Sequence, residues 1–235
     1  MLTEPPALTL VDGAPRPSQI QIDAFDGVPT SFVCDALGGF AAMAPQVAPV
    51  GFGRDLECRA HGPALVAANS PGDIMGTFGA IHMAQPGDFI VAQAQGHQGC
   101  AAAGDLVLGQ MRNAGVVGFA TDGPMRDYDG IVAAGLPAWC TGLTPNSPFS
   151  KGPGQTGGAA LVGGCLVTTG DMIVADRDGV VVIPFAKIDS VIAQLPEIKS
   201  QEAERDANVR GGFKTPLDLE GMLGDGRARR QVFTS

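Results

Sequence analysis

The sequence predicts an α/β domain in which β-sheets are layered against helices, and three observations predict it. Apolar residues gather in short runs of strand length, at Ala64 to Ala68, Phe89 to Ala94, Val116 to Ala120, Ala138 to Cys140, Cys165 to Thr168, Met172 to Ala175 and Val180 to Ile183. Turn-forming clusters separate them: Pro71-Gly72-Asp73, Pro86-Gly87-Asp88, Gly170-Asp171 and Asp176-Arg177-Asp178-Gly179. Only a few stretches carry helical spacing, so many strands and few helices must share one layered core. A chain of 235 residues that is 45% hydrophobic and 17% charged can bury such a core, and it suits one large domain better than two small ones.

Taken in order, residues 1–19 contain Pro5, Pro6, Pro15 and Pro17 and read as an extended arm. The domain proper spans 20–212, and 213–235 is a turn-rich tail. Thr30 to Leu37 begins as a helix capped by Thr30 or Ser31, and Gly38-Gly39 ends it. Asp105 to Ala114 places Leu106, Leu108, Met111 and Ala114 at broadly helical spacing between two strand runs, which makes a βαβ unit. Ser147 to Gly158 is a flexible loop by composition. The turn at Asp176 to Gly179 joins two apolar runs as a β-hairpin. Ile188 to Val209 reads as a charged surface helix broken at Pro196.

Composition excludes several classes of partner. The formal charge is -9, from 24 acidic and 15 basic residues, and the basic residues cluster only at Arg227, Arg229 and Arg230, so no nucleic-acid surface is expected. No run approaches the roughly 18 apolar residues of a membrane span, and the N-terminus lacks a secretory pattern. Cys34, Cys58, Cys100, Cys140 and Cys165 are odd in number and include no CxxC pair. Reduced thiols in a cytoplasmic protein are therefore expected, and Cys100 alone lies in a candidate site loop.

The chemistry gathers around Asp105, which is followed by twenty residues and then by Arg126-Asp127. In a parallel arrangement the two strands of the βαβ unit end on the same side, so the loops Gly96 to Gly104 and Thr121 to Asp127 lie together where α/β sheets place ligands. Each residue alone has an ordinary reading: Asp105 as a helix cap, Asp122-Gly123 as a turn, Arg126 and Asp127 as solvated charges. Together they suit magnesium, which takes one or two carboxylates and keeps most of its waters. Asp127 can bind such an ion directly and Asp105 through water. A 2-oxo acid on that ion would then present its developing negative charge to Arg126, an interaction worth roughly 2.7–4 kcal/mol in a transition state. Lys151, Lys187, Lys199 and Lys214 lie in loop-like or charged helical surroundings, which disfavours Schiff-base chemistry. Among His61, His82 and His97, only His97 lies in a site loop, where it reads as structural or solvent-facing. Proton abstraction is assigned to a metal-linked water instead.

The segment GHQGCAAAGDLVLGQMRNAGVVGFATDGPMRD resembles the metal-dependent 4-hydroxy-4-methyl-2-oxoglutarate aldolase family, also called RraA-like, whose active members carry Asp, twenty residues, Arg, Asp. PTSFVCDAL, GPALVAAN and GDMIVADRDGVVVIP match in the same order, and the resemblance covers roughly Pro29 to Gly212. It implies a sandwich of β-sheets flanked by helices, of the swivelling β/β/α type, assembled as a homotrimer or homohexamer. It implies retro-aldol cleavage of a 4-hydroxy-2-oxo diacid to pyruvate in aromatic catabolism, with oxaloacetate decarboxylation as a side activity and Mg2+ or Mn2+ as cofactor. By resemblance Asp127 is the direct metal ligand, Asp105 a water-mediated ligand, and Arg126 the partner of the substrate oxygens. The backbone of Ala102, Ala103, Gly104, Asp105 and Leu106 is the cradle for the pyruvate carboxylate. A glutamate from a neighbouring subunit reaches the metal through water; Glu202 matches it best and Glu204 less well. The alternative is a non-catalytic RraA-type protein that binds and inhibits ribonuclease E.

Overall fold

The computed structural model describes residues 4–233. In chain order its first elements are β1 (Leu8–Leu10), α1 (Gln19–Asp23), α2 (Thr30–Ala36), β2 (Ala48–Pro49), β3 (Ala60–Asn69), α3 (Met75–Met83), β4 (Phe89–Gln93), α4 (Asp105–Asn113) and β5 (Gly118–Thr121). There follow α5 (Tyr128–Ala134), β6 (Ala138–Cys140), β7 (Gly154–Thr156), β8 (Ala159–Val162), β9 (Cys165–Thr168), β10 (Met172–Asp176), β11 (Gly179–Ile183), α6 (Ile188–Arg210) and α7 (Leu219–Gly224). The chain divides into two units, Met1–Ile198 and Lys199–Ser235, the second beginning within α6.

In the first unit β3 organises the sheet. Its residues Ala64 to Ala68 pair in parallel with β4, while Ala67 to Asn69 pair antiparallel with β7 on the opposite edge. Its first residues, Ala60 to Pro63, pair instead with β10, which continues into the β10–β11 hairpin. Beyond β4 come β5 and β6 in parallel, closed at the edge by the antiparallel β2. The central strands are buried on both faces and therefore read as continuous apolar runs rather than alternating ones. The β8–β9 hairpin does alternate: Val162 and Val167 point into the core while Leu161 and Leu166 remain exposed.

Side-chain size sets the centre of the core. Trp139 is fully buried, packs in a tilted arrangement with its ring centroid 5.7 Å from that of Phe89, and donates its indole N–H to Asp176 O at 2.8 Å, which satisfies its single polar atom. Phe119, Leu108, Met111, Met125 and Ile131 fill the space beneath α4 and α5, each such burial worth about 1.5–3 kcal/mol. A smaller cluster, Phe25, Val33, Met172, Val181, Ile183 and Val191, seats α2 and the start of α6 against the β10–β11 hairpin.

The seven strand runs read from the sequence are strands, and the Asp176 to Gly179 turn closes a hairpin as expected. Three expectations need correction. The helix at Thr30 is not capped by Thr30 or Ser31: Pro29 holds the cap position, and the Thr30 amide and hydroxyl both donate to Asp176, at 3.0 and 2.8 Å. Ser147 to Gly158 is not wholly loop, because β7 inserts between β1 and β3 in the main sheet. The surface helix is not broken at Pro196, which sits inside the continuous α6. After Gly211 the described chain holds one short helix, α7, whose Asp218 side chain accepts from Gly221 N at 3.0 Å. Leu8–Leu10 add β1 to the sheet edge, and Arg16 is paired to the buried carboxylate of Asp88.

Candidate active site

β4 and β5 run parallel, and the loops after them meet. Asp122 joins them: its carboxylate accepts from Ala94 N at 2.5 Å and from Gly96 N at 3.1 Å. Asp122-Gly123 is thus more than a turn. Further along, Ala102 N donates to Pro124 O at 2.7 Å and Arg126 N to Ala103 O at 3.1 Å, a short parallel bridge that places Gly104 and Asp105 beside Arg126 and Asp127. The two loops are therefore one backbone construction.

A third segment, which no sequence signal marked, completes it. Residues 141–147 follow β6 and run beside Met125, with Met125 N donating to Gly142 O at 2.9 Å and Thr144 N to Met125 O at 2.8 Å. This brings Ser147 to Arg126, whose Nη1 donates to the Ser147 hydroxyl. Arg126 Nε lies 3.1 Å from Asp127 Oδ2. The guanidinium is thus held from two sides while about a third of the side chain stays accessible. A pre-oriented arginine fork of this kind suits planar carboxylate or enolate oxygens.

Asp105 opens α4, but it is not the cap. Gly104 occupies that position, and Asp105 Oδ1 accepts from the adjacent Leu106 N at 2.7 Å. Its other oxygen packs against Gly130 in the first turn of α5, where a Cβ would overlap it. Asp127 has φ 64°, ψ 53°, a left-handed conformation that costs a non-glycine residue energy. Such strain gathers at functional positions because it aims a side chain. In the Ala102–Leu106 stretch the Ala102 amide is taken by Pro124 O and the Leu106 amide by Asp105. The Gly104 and Asp105 amides, at the open start of α4, have no acceptor among the described residues.

Asp105 and Asp127 offer carboxylate oxygens, the kind of donor a magnesium-like ion takes. Two carboxylates, one of them with its side chain 47% exposed, match the low count of protein ligands such an ion takes. No group of three or more His, Cys, Asp or Glu that could hold a metal ion gathers among the described residues. Gly104 leaves the space that the pair requires: a Cβ there would lie 2.9 Å from Asp127 Oδ2 and 3.0 Å from Arg126 Cγ.

The remaining candidates are His97, Cys100, Glu202 and Glu204. His97 Nε2 lies 3.5 Å from the Cβ position of Gly72 and also packs against Gly99, turned toward the β3–α3 connection. Burial pushes the Cys100 thiol above its ordinary pKa, which opposes a nucleophilic role. Glu202 belongs to the second unit, where its carboxylate accepts from Arg205 Nη1 at 2.6 Å. Glu204 lies in the same unit and is exposed.

Comparison with known proteins supports a family assignment. The model of the RraA-like family, described as Aldolase/RraA, matches residues 30–182. A Halalkalibacterium halodurans protein provisionally named 4-hydroxy-4-methyl-2-oxoglutarate aldolase is 34% identical over 196 residues, covering 82% of this chain and 90% of its own. Streptomyces coelicolor RraAS2, described as an unusual member of the RNase ES inhibitor RraA protein family, superposes with a TM-score of 0.69 at 25% identity, covering 83% of this chain and all of its own. An uncharacterized protein of Pseudomonas syringae pv. tomato shares the fold with a TM-score of 0.73 at 22% identity, over 91% of this chain and 96% of its own.

Proposed function

Because this chain belongs to the RraA-like family, we propose that it is a divalent-metal-dependent lyase that cleaves a 4-hydroxy-2-oxo diacid to pyruvate and a second oxo acid. Substrates of the 4-hydroxy-4-methyl-2-oxoglutarate or 4-carboxy-4-hydroxy-2-oxoadipate type fit this reading, with oxaloacetate decarboxylation as a side reaction through the same pyruvate enolate. The observation that carries it is the backbone construction that sets Gly104 and Asp105 beside Arg126 and Asp127, with the Arg126 and Asp127 side chains packed on the Cβ-free face of Gly104.

Mg2+ or Mn2+ bound there would supply a Lewis acid that polarises the 2-oxo group. Asp127 would hold it directly, Asp105 through water, and Glu202 through water from a neighbouring subunit of a trimer or hexamer. The Gly104 and Asp105 amides hold the substrate carboxylate at the start of α4, where backbone donors favour an anion. The C4 hydroxyl passes its proton to a water at the site, C4 becomes the carbonyl of the second oxo acid as the C3–C4 bond breaks, and the electron pair of that bond passes to C3 to form the enolate. Arg126, fixed between Asp127 and Ser147, stabilises the negative charge that gathers on the C2 oxygen. Protonation at C3 completes pyruvate.

A panel of 4-hydroxy-2-oxo acids with coupled pyruvate detection tests this reading. Pyruvate release in Mg2+ or Mn2+ that stops in EDTA is expected; full activity in EDTA would overturn it. The likeness to the S. coelicolor protein favours a second reading, inhibition of ribonuclease E by protein contact. A contact of that kind has no use for an arginine clamped between a strained carboxylate and a serine. Capture of ribonuclease E together with absence of turnover would decide for it.

A further inference from the structure

Tyr128, the residue after Asp127, lines a cavity of about 570 Å³. That volume far exceeds what pyruvate needs and lies within the range of small-molecule sites. Pro49, Val50, Phe52 and Leu143 make its walls largely apolar. The same two segments that position Arg126 and Asp127 bound it: Tyr128 opens α5, and Leu143 bridges to Met125.

Its polar groups are few and mostly engaged. The Tyr128 hydroxyl donates to Asp55 at 2.6 Å, which leaves Arg54 as the cation of the lining. Arg54 Nε donates to Gly51 O at 3.3 Å, and its guanidinium carbon stands 5.9 Å from the centre of the Phe52 ring. Phe52 is 77% exposed and adopts φ 57°, so an exposed aromatic ring is held at the cavity in a conformation that costs energy. Gly51 beside it has φ 59°, and a Cβ there would overlap the Tyr128 ring. The backbone is shaped to keep ring, phenol and guanidinium around one space.

We propose that this cavity receives the C4 substituent of the substrate and selects an apolar, preferably aryl, group that carries a carboxylate to Arg54. The proposal rests on the retro-aldol reading for its reaction, but it also predicts binding that needs no turnover. Filling apolar space is worth roughly 10- to 200-fold in selectivity per methylene.

The test uses the full chain, two substrates and one probe. For 4-(4-carboxyphenyl)-4-hydroxy-2-oxobutanoate, which would yield pyruvate and 4-formylbenzoate, kcat/KM should exceed that for 4-hydroxy-2-oxopentanoate at least tenfold. Leu143→Trp, which fills the cavity from a half-exposed position, should lower that ratio at least tenfold. Calorimetric binding of 3-phenylpropionate should weaken at least tenfold in Leu143→Trp and in the surface variant Arg54→Ala, so the test survives if the tryptophan variant misfolds. Undetectable probe binding by the unsubstituted protein, equal binding by both variants, or a change of oligomeric mass in folded Leu143→Trp would overturn the proposal. Probe binding as predicted with no pyruvate from either substrate or from oxaloacetate would overturn the retro-aldol reading, and with it the assignment of the cavity to C4. Pyruvate from oxaloacetate with an unchanged substrate ratio in Leu143→Trp would overturn the cavity assignment alone.

Discussion

Gly104 and Asp127 are in contact: a Cβ added to the glycine would lie 2.9 Å from Asp127 Oδ2, with Arg126 Cγ at 3.0 Å. Gly104 has φ -140°, a conformation alanine also adopts, so its requirement here is for space rather than for backbone freedom. Gly104→Ala should therefore fold with little change in melting temperature while displacing both site side chains. A misplacement of 1 Å costs about 100-fold in rate, and the smaller shift needed here should lower pyruvate release about tenfold. A variant within twofold of the unsubstituted protein would show that the contact has no functional part.

Asp122 is the join between the two site loops, through Ala94 N at 2.5 Å and Gly96 N at 3.1 Å. Asp122→Ala leaves the Ala94 amide, which belongs to a buried residue, without its acceptor. The expected loss is about 1–3 kcal/mol, read as a lower urea midpoint with an unchanged slope. Activity should fall with it, because the loop that carries Ala102 to Asp105 loses its anchor.

Tyr128 is the one tyrosine of the chain, so alkaline absorbance titration reads it alone. Its hydrogen bond to Asp55 pushes the phenol above its ordinary pKa of 10.0, with desolvation adding to the shift. The folded state then keeps a proton that the unfolded state has lost, so this contribution to stability is present below the unfolded pKa and is lost as pH rises toward the folded one. The absorbance midpoint should lie above 10 in the folded protein and move back toward 10 in Asp55→Asn.

The parts of this architecture legible in the sequence are those fixed by local chemistry. The runs at Phe89 and Gly118 are apolar enough to be central strands, and the Asp105 to Arg126-Asp127 spacing follows from one strand, one helix and one turn. What escaped depends on distant partners. Gly154 to Thr156 looks like loop because its neighbours are glycine and proline; it becomes a strand through pairing with β1 and β3. Thr30 resembles an ordinary cap, yet it is tied to Asp176 across the fold. Ser147 was legible only as part of a polar loop, and nothing local reveals that it meets Arg126. Pro196 argues locally for a break, yet α6 continues through it.

The central claim is that Arg126 stabilises the charge that develops during carbon–carbon cleavage. The direct measurement is kcat for pyruvate release from 4-hydroxy-4-methyl-2-oxoglutarate by Arg126→Ala, at saturating substrate and Mg2+, against the unsubstituted protein. Loss of one well-aimed donor predicts a fall of about 100- to 1,000-fold, with a folded variant that melts at nearly the same temperature. A kcat within threefold of the unsubstituted protein would contradict the account.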